Sequence, residues 1–337
     1  MAEEFLQEEE NLSEEEEKQY LEQIAPNKNY LYILQPFGLA DILCAGGFSY
    51  AAQAKKNKRA TVLILNEYYK NFGIAYENVA NVVYMPAQLL LSAAKYLEKK
   101  ELYEVDNFIY GYLNPLKSKN FTVADGLNFI DYYRQKVFDI PIDTPLHPPI
   151  IAPPAENVKE SWNMRYTFDK ERTIILAASI NPKNEVKIKF WENIVNRLKE
   201  KNYIVYSLIE NFSDMSVANT RPILANSGEL SYIANNVKCF IGSNVGLLAF
   251  LAMTSQANIL FVSQFPAWIW DIAKIFPNSH CRTFYVAYKF LKPIHEYYEK
   301  EGVTIQFEVS HPKINAEKIF NTYEDATEDI LSAVEKI

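Results

Sequence analysis

The sequence predicts an α/β protein made of two doubly wound lobes with a cleft between them. Three observations lead there. Short apolar runs, each the length of a strand buried on both faces, alternate with helical stretches. The alternation breaks once, at Ile140 to Pro154 (IPIDTPLHPPIIAPP), whose six prolines forbid a helix. It then restarts, and at ~150 residues per domain a chain of 337 residues suits two such units. The expected organisation is an acidic appendage over 1–26, a first lobe over 27–150 and a second over 151–337.

In chain order, Ser13 and Glu16 have capping-box spacing, which predicts a helix from Glu14 to Ile24 with Tyr20, Leu21 and Ile24 on one face. The segment reads first as a solvated leader that frays, and second as a helix that docks on a partner. Tyr30 to Gln35 (YLYILQ) is the first buried strand. A turn at Pro36-Phe37-Gly38 leads into a helix from Asp41 to about Lys55. Strands follow at Thr61–Leu65, Val79–Met85 and Asp106–Tyr110, with helices up to about Lys100 and from Thr122 to Phe138. The proline segment reads as an interdomain linker or as the last edge segment of the first lobe. Beyond it, strands are expected at Arg172–Ala178, Tyr203–Ile209, Val237–Ile241 and Asn258–Ser263. Helices are expected at Lys189–Lys201, Glu229–Asn235, Val245–Met253, Ala267–Phe276 and Ala316–Lys336. This alternation implies parallel sheets, whose ligands lie outside the carboxyl ends of the strands.

Composition removes several classes. With 49% apolar and 23% charged residues, the chain is not disordered. Its longest apolar stretch, about Val245 to Met253, falls short of the ~20 residues of a membrane span. The start MAEEFLQEEE has neither the basic flank nor the apolar core of a signal peptide, so a cytoplasmic location is expected. Residues 1–26 hold ten glutamates and one lysine, a charge of −9 against a total of −8, so the body carries only +1. That argues against a nucleic-acid partner. Cys44, Cys239 and Cys281 form no CxxC pair, and His147, His280, His295 and His311 have no metal-ligand spacing. No metal or cofactor is expected.

Three motifs stand at strand ends. The first is Phe37-Gly38-Leu39-Ala40-Asp41. Gly38 allows a tight turn, and Asp41 is either a helix cap or a general base at the cleft mouth. It lacks the glycines of a dinucleotide fingerprint, and no P-loop occurs. The second runs Ala177-Ala178-Ser179-Ile180-Asn181-Pro182-Lys183, then Lys187, Lys189, Phe190 and Trp191. It is a strand end, a small polar loop and a lysine-rich helix start, which suits phosphate. The third ends Gly242-Ser243-Asn244-Val245-Gly246-Leu247-Leu248-Ala249, where Ser243 and Asn244 cap a helix of small residues. The run Lys55-Lys56-Asn57-Lys58-Arg59 complements a helix dipole, or else meets an anionic acceptor or membrane surface.

In this order and spacing the motifs resemble glycosyltransferase family 9, the heptosyltransferase-like enzymes. The resemblance spans about residues 30–265 and rests on Gly38 to Asp41, on Ala178-Ser179 with Lys189-Phe190-Trp191, and on Leu224 to Ala249. It implies the GT-B fold of two Rossmann-like lobes. It also implies transfer of a sugar from a nucleotide diphosphate sugar to an acceptor hydroxyl, with inversion and without metal. By the same resemblance Asp41 is the catalytic aspartate and Lys189 contacts the donor phosphates. Ser179, Glu210, Ser243, Asn244 and Gly246 complete the donor side, and Gly38, Lys55 and Lys56 lie on the acceptor side. The implied acceptor is a glycan, glycolipid or protein, with a bacterial surface glycan or a lipopolysaccharide-type acceptor expected. Peripheral contact with the inner membrane would follow. The sequence departs from the family pattern at Asn244, in place of aspartate, and at Ala249, in place of histidine. Two alternatives are a non-catalytic nucleotide-sugar-binding or partner subunit and a nucleotide-sugar epimerase on the same fold.

Overall fold

The computed structural model of the protein describes residues 13–35, 38–77, 80–99, 104–105, 107–111, 129–178, 185–210, 215–265, 276, 279–287, 319–320 and 323–337. Two separate sheets organise them. In the first lobe, helix α1 (Glu14–Ile24) precedes β1 (Tyr30–Gln35), α2 (Leu39–Gly47), α3 (Ser49–Lys55) and β2 (Ala60–Asn66). Then come α4 (Lys70–Gly73), β3 (Asn81–Met85), α5 (Ala87–Lys99), β4 (Glu104–Val105), β5 (Phe108–Tyr110) and α6 (Phe129–Tyr132). The sheet order is β3-β2-β1-β5-β4, parallel except for β4.

The second lobe opens with α7 (Glu156–Arg165), β6 (Thr173–Ala177), α8 (Glu185–Glu200), β7 (Ile204–Ile209), β8 (Arg221–Leu224) and α9 (Ser227–Ala234). It closes with β9 (Cys239–Gly242), α10 (Val245–Thr254), β10 (Ile259–Phe265), β11 (Cys281–Ala287), β12 (Ile319–Phe320) and α11 (Tyr323–Lys336). Its order, β12-β11-β10-β9-β6-β7-β8, is parallel throughout. In each sheet the order reverses beside the first strand, between β1 and β5 and between β6 and β9. These are the places where doubly wound sheets bind ligands.

The strand alternation explains three apolar layers. Tyr32, Leu34, Val62 and Ile64 face α5 through Leu90, Ala93, Ala94 and Leu97. On the far side of the second sheet, Ile174, Leu176, Ile241 and Val262 pack on Phe190, Trp191 and Ile194 of α8 and on Ile330 and Val334 of α11. The remaining faces, Leu31, Ile33 and Leu63 in one lobe and Ile175, Phe240 and Phe261 in the other, belong to a single continuous core. Helices α2 and α10 lie within it, against each other. This is why both read as apolar on nearly every side: each has a sheet behind it and a helix in front.

Several expectations change. The stretch from Asp41 to Lys55 is two helices that meet at Phe48. Helix α11 starts at Tyr323 rather than near Ala316, because Ile319 and Phe320 pair with β11 as a strand. Strands β8 and β11 and helix α7 were not anticipated. The expected helix Ala267–Phe276 lies outside the described residues except for Phe276, as does Thr122–Phe138 before Phe129.

Over its described residues, 13–26, the acidic segment is a docked helix rather than a fraying one. The Ser13–Glu16 capping box forms, with the Glu16 carboxylate accepting from the Ser13 amide at 2.8 Å. Leu21, Ile24 and Ala25 of this segment pack against the core layer beneath α5. The proline segment carries no strand. Its His147 amide donates to Gly47 O at 3.1 Å and its Ile150 amide to Ala75 O at 3.1 Å. Farther along, the Ala152 carbonyl lies against Gly228 of the second lobe. Among the described residues, no helix is long and apolar enough to cross a membrane.

Candidate active site

The first half of the site is built where β1 ends. Gly38 takes φ +69° and caps α2, and its amide donates to the Tyr69 hydroxyl at 3.1 Å. The positive φ is one reason for glycine here. The other is space, because a Cβ at this position would stand 1.9 Å from Oδ2 of Asp41. Asp41 is therefore the third residue of α2, folded back over its cap. The expectation that Asp41 might itself be the cap does not hold, because Gly38 occupies that position.

Asp41 is the sole charged residue of α2, a helix whose other residues are all buried. The residue keeps partial exposure, but its carboxyl is closely enclosed by protein. Burial pushes its pKa up from 3.8 to about 7, against the opposing hydrogen bonds from Tyr133 and from its own amide. The Tyr133 hydroxyl lies 2.5 Å from Asp41 Oδ1 and 2.6 Å from the Gly111 carbonyl oxygen. Gly111 directly follows β5, and its amide donates to Leu34 O of β1 at 2.8 Å. The carboxyl thus stands at the carboxyl ends of β1 and β5, at the reversal point of the first sheet. One turn along α2, burial first and then the Asp41 charge hold the Cys44 thiol well above its ordinary pKa, so it stays protonated.

The second half forms at the reversal point of the other sheet. The amides of Ser243 and Asn244 both donate to Ala177 O at the end of β6, at 3.1 and 2.9 Å. Asn244 caps α10, its Oδ1 accepting from the Leu247 amide at 3.1 Å. Its Nδ2 donates to Glu210 Oε1 at 2.6 Å, just beyond β7. Glu210, Ser243 and Asn244 are thus brought together at the ends of β7, β9 and β6. Gly246, in the first turn of α10, packs on the first turn of α2: a Cβ there would lie 2.8 Å from Leu39 Cβ and 3.3 Å from the Ala40 amide nitrogen. The two half-sites therefore meet with Asp41 one residue beyond that contact.

The other expected residues are placed differently. Lys189 is exposed on α8, beside Phe190 and Trp191, which anchor that helix in the core. No described contact joins it to Glu210 or Asn244. Ser179 and the loop through Lys183 lie outside the described residues, as does the side chain of Lys187. Lys55 is exposed and ion-paired. Its ammonium bonds the Asp139 carboxylate and, at 2.6 Å, the Asp139 carbonyl oxygen. That contact pins the end of the π turn Tyr133–Val137, which carries Tyr133. Lys56 is the C-cap of α3. Among the described residues, no group of three His, Cys, Asp or Glu could hold a metal ion.

Sequence reasoning missed Tyr133 and Tyr69. In the run Phe129-Ile130-Asp131-Tyr132-Tyr133, helical spacing of aromatics reads as core, and nothing marks one hydroxyl as facing a carboxyl.

No family model matches the sequence, and no curated protein is significantly similar to it. Solved structures are more informative. A glycosyltransferase family 9 protein from Veillonella parvula aligns over 92% of this chain and 98% of its own, with a TM-score of 0.52 at 9% identity. The ADP-heptose lipopolysaccharide heptosyltransferase II of E. coli aligns over 91% and 98%, with a TM-score of 0.51 at 11% identity. The chain has the GT-B fold. This likeness, at such identities, concerns the fold. A third match, the iron-containing dodecameric glycosyltransferase TibC of enterotoxigenic E. coli, covers 69% of this chain at a TM-score of 0.44 and 12% identity, and this chain spans 57% of its length. The two sheet-reversal points thus carry Asp41 on one side and Glu210 with Asn244 on the other.

Proposed function

We propose that the chain is a glycosyltransferase that moves a sugar from a nucleotide diphosphate sugar to an acceptor hydroxyl. The observation that carries this reading is Asp41, a carboxyl poised at about 7 where the two lobes meet. A general base works best with a pKa near the working pH. As a carboxylate, Asp41 takes the proton of the acceptor hydroxyl while that oxygen attacks the anomeric carbon. Attack opposite the departing diphosphate inverts the anomeric centre.

On the donor side, Glu210 accepts from ribose hydroxyls, steadied by Asn244. The amides of Ser243 and Asn244 are turned inward to Ala177, which leaves the first-turn amides of Val245 and Gly246 to meet phosphate, with Ser179 and Lys189 approaching from the start of α8. Lysine charge and helix amides stabilise the diphosphate, so the reaction runs without metal. The acceptor is a glycan, glycolipid or protein of the bacterial surface-glycan type, reached from the cytoplasm and the inner-membrane surface.

The test is incubation of the full chain with ADP-, UDP-, GDP- and CMP-linked sugars, with and without acceptor extracts, reading released nucleotide and labelled acceptor. Release that depends on Asp41 supports the reading. Binding of a nucleotide sugar without any turnover across the panel would favour a non-catalytic subunit instead.

A further inference from the structure

Tyr133 presents a proton-counting problem. Its hydroxyl has one proton, yet two oxygens lie within hydrogen-bond distance, Asp41 Oδ1 at 2.5 Å and Gly111 O at 2.6 Å. Neither oxygen carries a proton when Asp41 is a carboxylate. One proton cannot make two such short bonds at once. Two arrangements satisfy the count. With Asp41 ionised, the phenol donates to the carboxylate. With Asp41 protonated, the phenol turns to Gly111 O, and its own lone pairs are free to accept from the acid. Burial keeps the phenol protonated, its pKa held well above the ordinary value.

We propose that Tyr133 is the positioning residue of the base, a hydroxyl that switches its proton between Asp41 and the Gly111 carbonyl as Asp41 gains and loses its own. The inference rests on the reading of Asp41 as the base. No covalent bond changes at Tyr133; only the direction of its O–H bond does. Before transfer the phenol holds Oδ1 of the carboxylate, and Oδ2 above Gly38 remains to receive the acceptor's proton. After transfer the neutral acid is a poorer acceptor, and the phenol donates to Gly111 O instead. Both states of the base are thereby hydrogen-bonded inside a low-dielectric wall, where an unpartnered group would be costly.

The location suits this role. Tyr133 opens a π turn, closed by Phe138 N donating to Tyr133 O at 2.9 Å, and such turns recur at functional sites. The turn is braced from outside. Arg134 bonds Asp131 at 2.5 Å and the Thr144 carbonyl at 2.8 Å, and Lys55 holds Asp139. The other titratable groups around the pair are Cys44 on α2, Tyr132 and Arg134 on the π-turn segment, and Tyr69 at the Gly38 amide.

The test is Tyr133→Phe in the full chain, which keeps the ring and its packing on Phe129 and Phe138. Loss of the donor raises the Asp41 pKa. The acidic limb of the kcat/KM profile should move up by about one pH unit, with donor KM unchanged. The same shift should appear in a carboxyl carbon-13 titration, where Asp41 is the signal absent from Asp41→Asn. That readout needs no substrate. Should Tyr133→Phe fold poorly, 3-fluorotyrosine at position 133, a stronger donor, should move both readouts down. An unmoved titration in the variant that folds overturns the proposal. If Asp41→Asn transfers normally while the Asp41 signal still moves with Tyr133, the base reading fails and the hydroxyl switch stands.

Discussion

Gly246 of the second lobe lies so close to Leu39 of the first that a Cβ on it would stand 2.8 Å from the Leu39 Cβ. That contact joins the first turns of α10 and α2. On either side of it stand the Glu210–Asn244 pair and Asp41. Replacing Gly246 by valine forces α10 away from α2, because the obstructing atoms belong to or adjoin backbone. Overpacking of this kind costs about 1–3 kcal/mol. The expected result is a melting point several degrees lower and a transfer rate reduced through misalignment of the half-sites. A Gly246→Val variant with wild-type melting and rate would show that the contact yields without consequence.

Gly38→Ala attacks the same site from the other side. A left-handed backbone costs a non-glycine residue roughly 1–2 kcal/mol, and the new methyl would also occupy the place of Asp41 Oδ2. Both stability and transfer should fall, and the Asp41 titration should shift as the carboxyl is displaced. A variant that loses stability but keeps the carboxyl titration would mean that only the φ requirement matters.

How far these relationships are legible in the sequence depends on what they are made of. Strand β1 is read residue for residue from YLYILQ, because burial on both faces leaves an unbroken apolar run. The α1 capping box is equally plain. Asp41, Glu210 and Asn244, singled out through the family resemblance, do stand at strand ends or on the helix turns that follow them. Tyr133 is invisible for the opposite reason: among the Phe and Tyr residues near it, only a distance of 2.5 Å distinguishes one hydroxyl. Docking of α1 is misjudged because ten glutamates dominate the segment, whereas Leu21, Ile24 and Ala25 decide its fate. Strand β8, RPIL, is short and begins with arginine and proline, which suits an edge and hides it from a hydrophobic count.

Deleting residues 1–26 should therefore destabilise the protein rather than leave it unchanged. Helix α1 covers the apolar layer at α5, and its removal exposes that layer to water. Each kcal/mol lost moves the midpoint by about 2–4 °C in a domain of this size. A drop of several degrees is expected by calorimetry or circular dichroism. Superimposable melting curves would mean that α1 adds nothing to the body it touches.

Lys189→Ala separates a phosphate contact from a solvated helix residue. Lys189 is exposed, and its removal should not affect melting. If it meets the donor, affinity for nucleoside diphosphate should fall more than affinity for nucleoside, and transfer should slow with it. Equal affinities in variant and wild type would move the role to Lys183 or Lys187.

Asp41→Asn gives two readouts with opposite signs. Folding raises the Asp41 pKa from 3.8 to about 7, so the native state binds this proton more tightly than the unfolded chain. The stability linked to that proton is fully present below about pH 4 and is lost as pH rises through about 7. Asparagine is neutral at every pH and resembles the protonated acid, so it does not suffer that loss. The melting point of the variant relative to wild type should accordingly be higher near pH 8 than near pH 5. Transfer should move the other way, falling ~10²-fold or more near neutral pH with donor binding retained, because the amide cannot take the acceptor's proton. A carboxylate with an unshifted pKa would give no such change in relative stability with pH, and a residue that only shapes the start of α2 would give no such loss of rate. A variant that is relatively stabilised at high pH yet transfers normally would keep the buried carboxyl and remove it from catalysis.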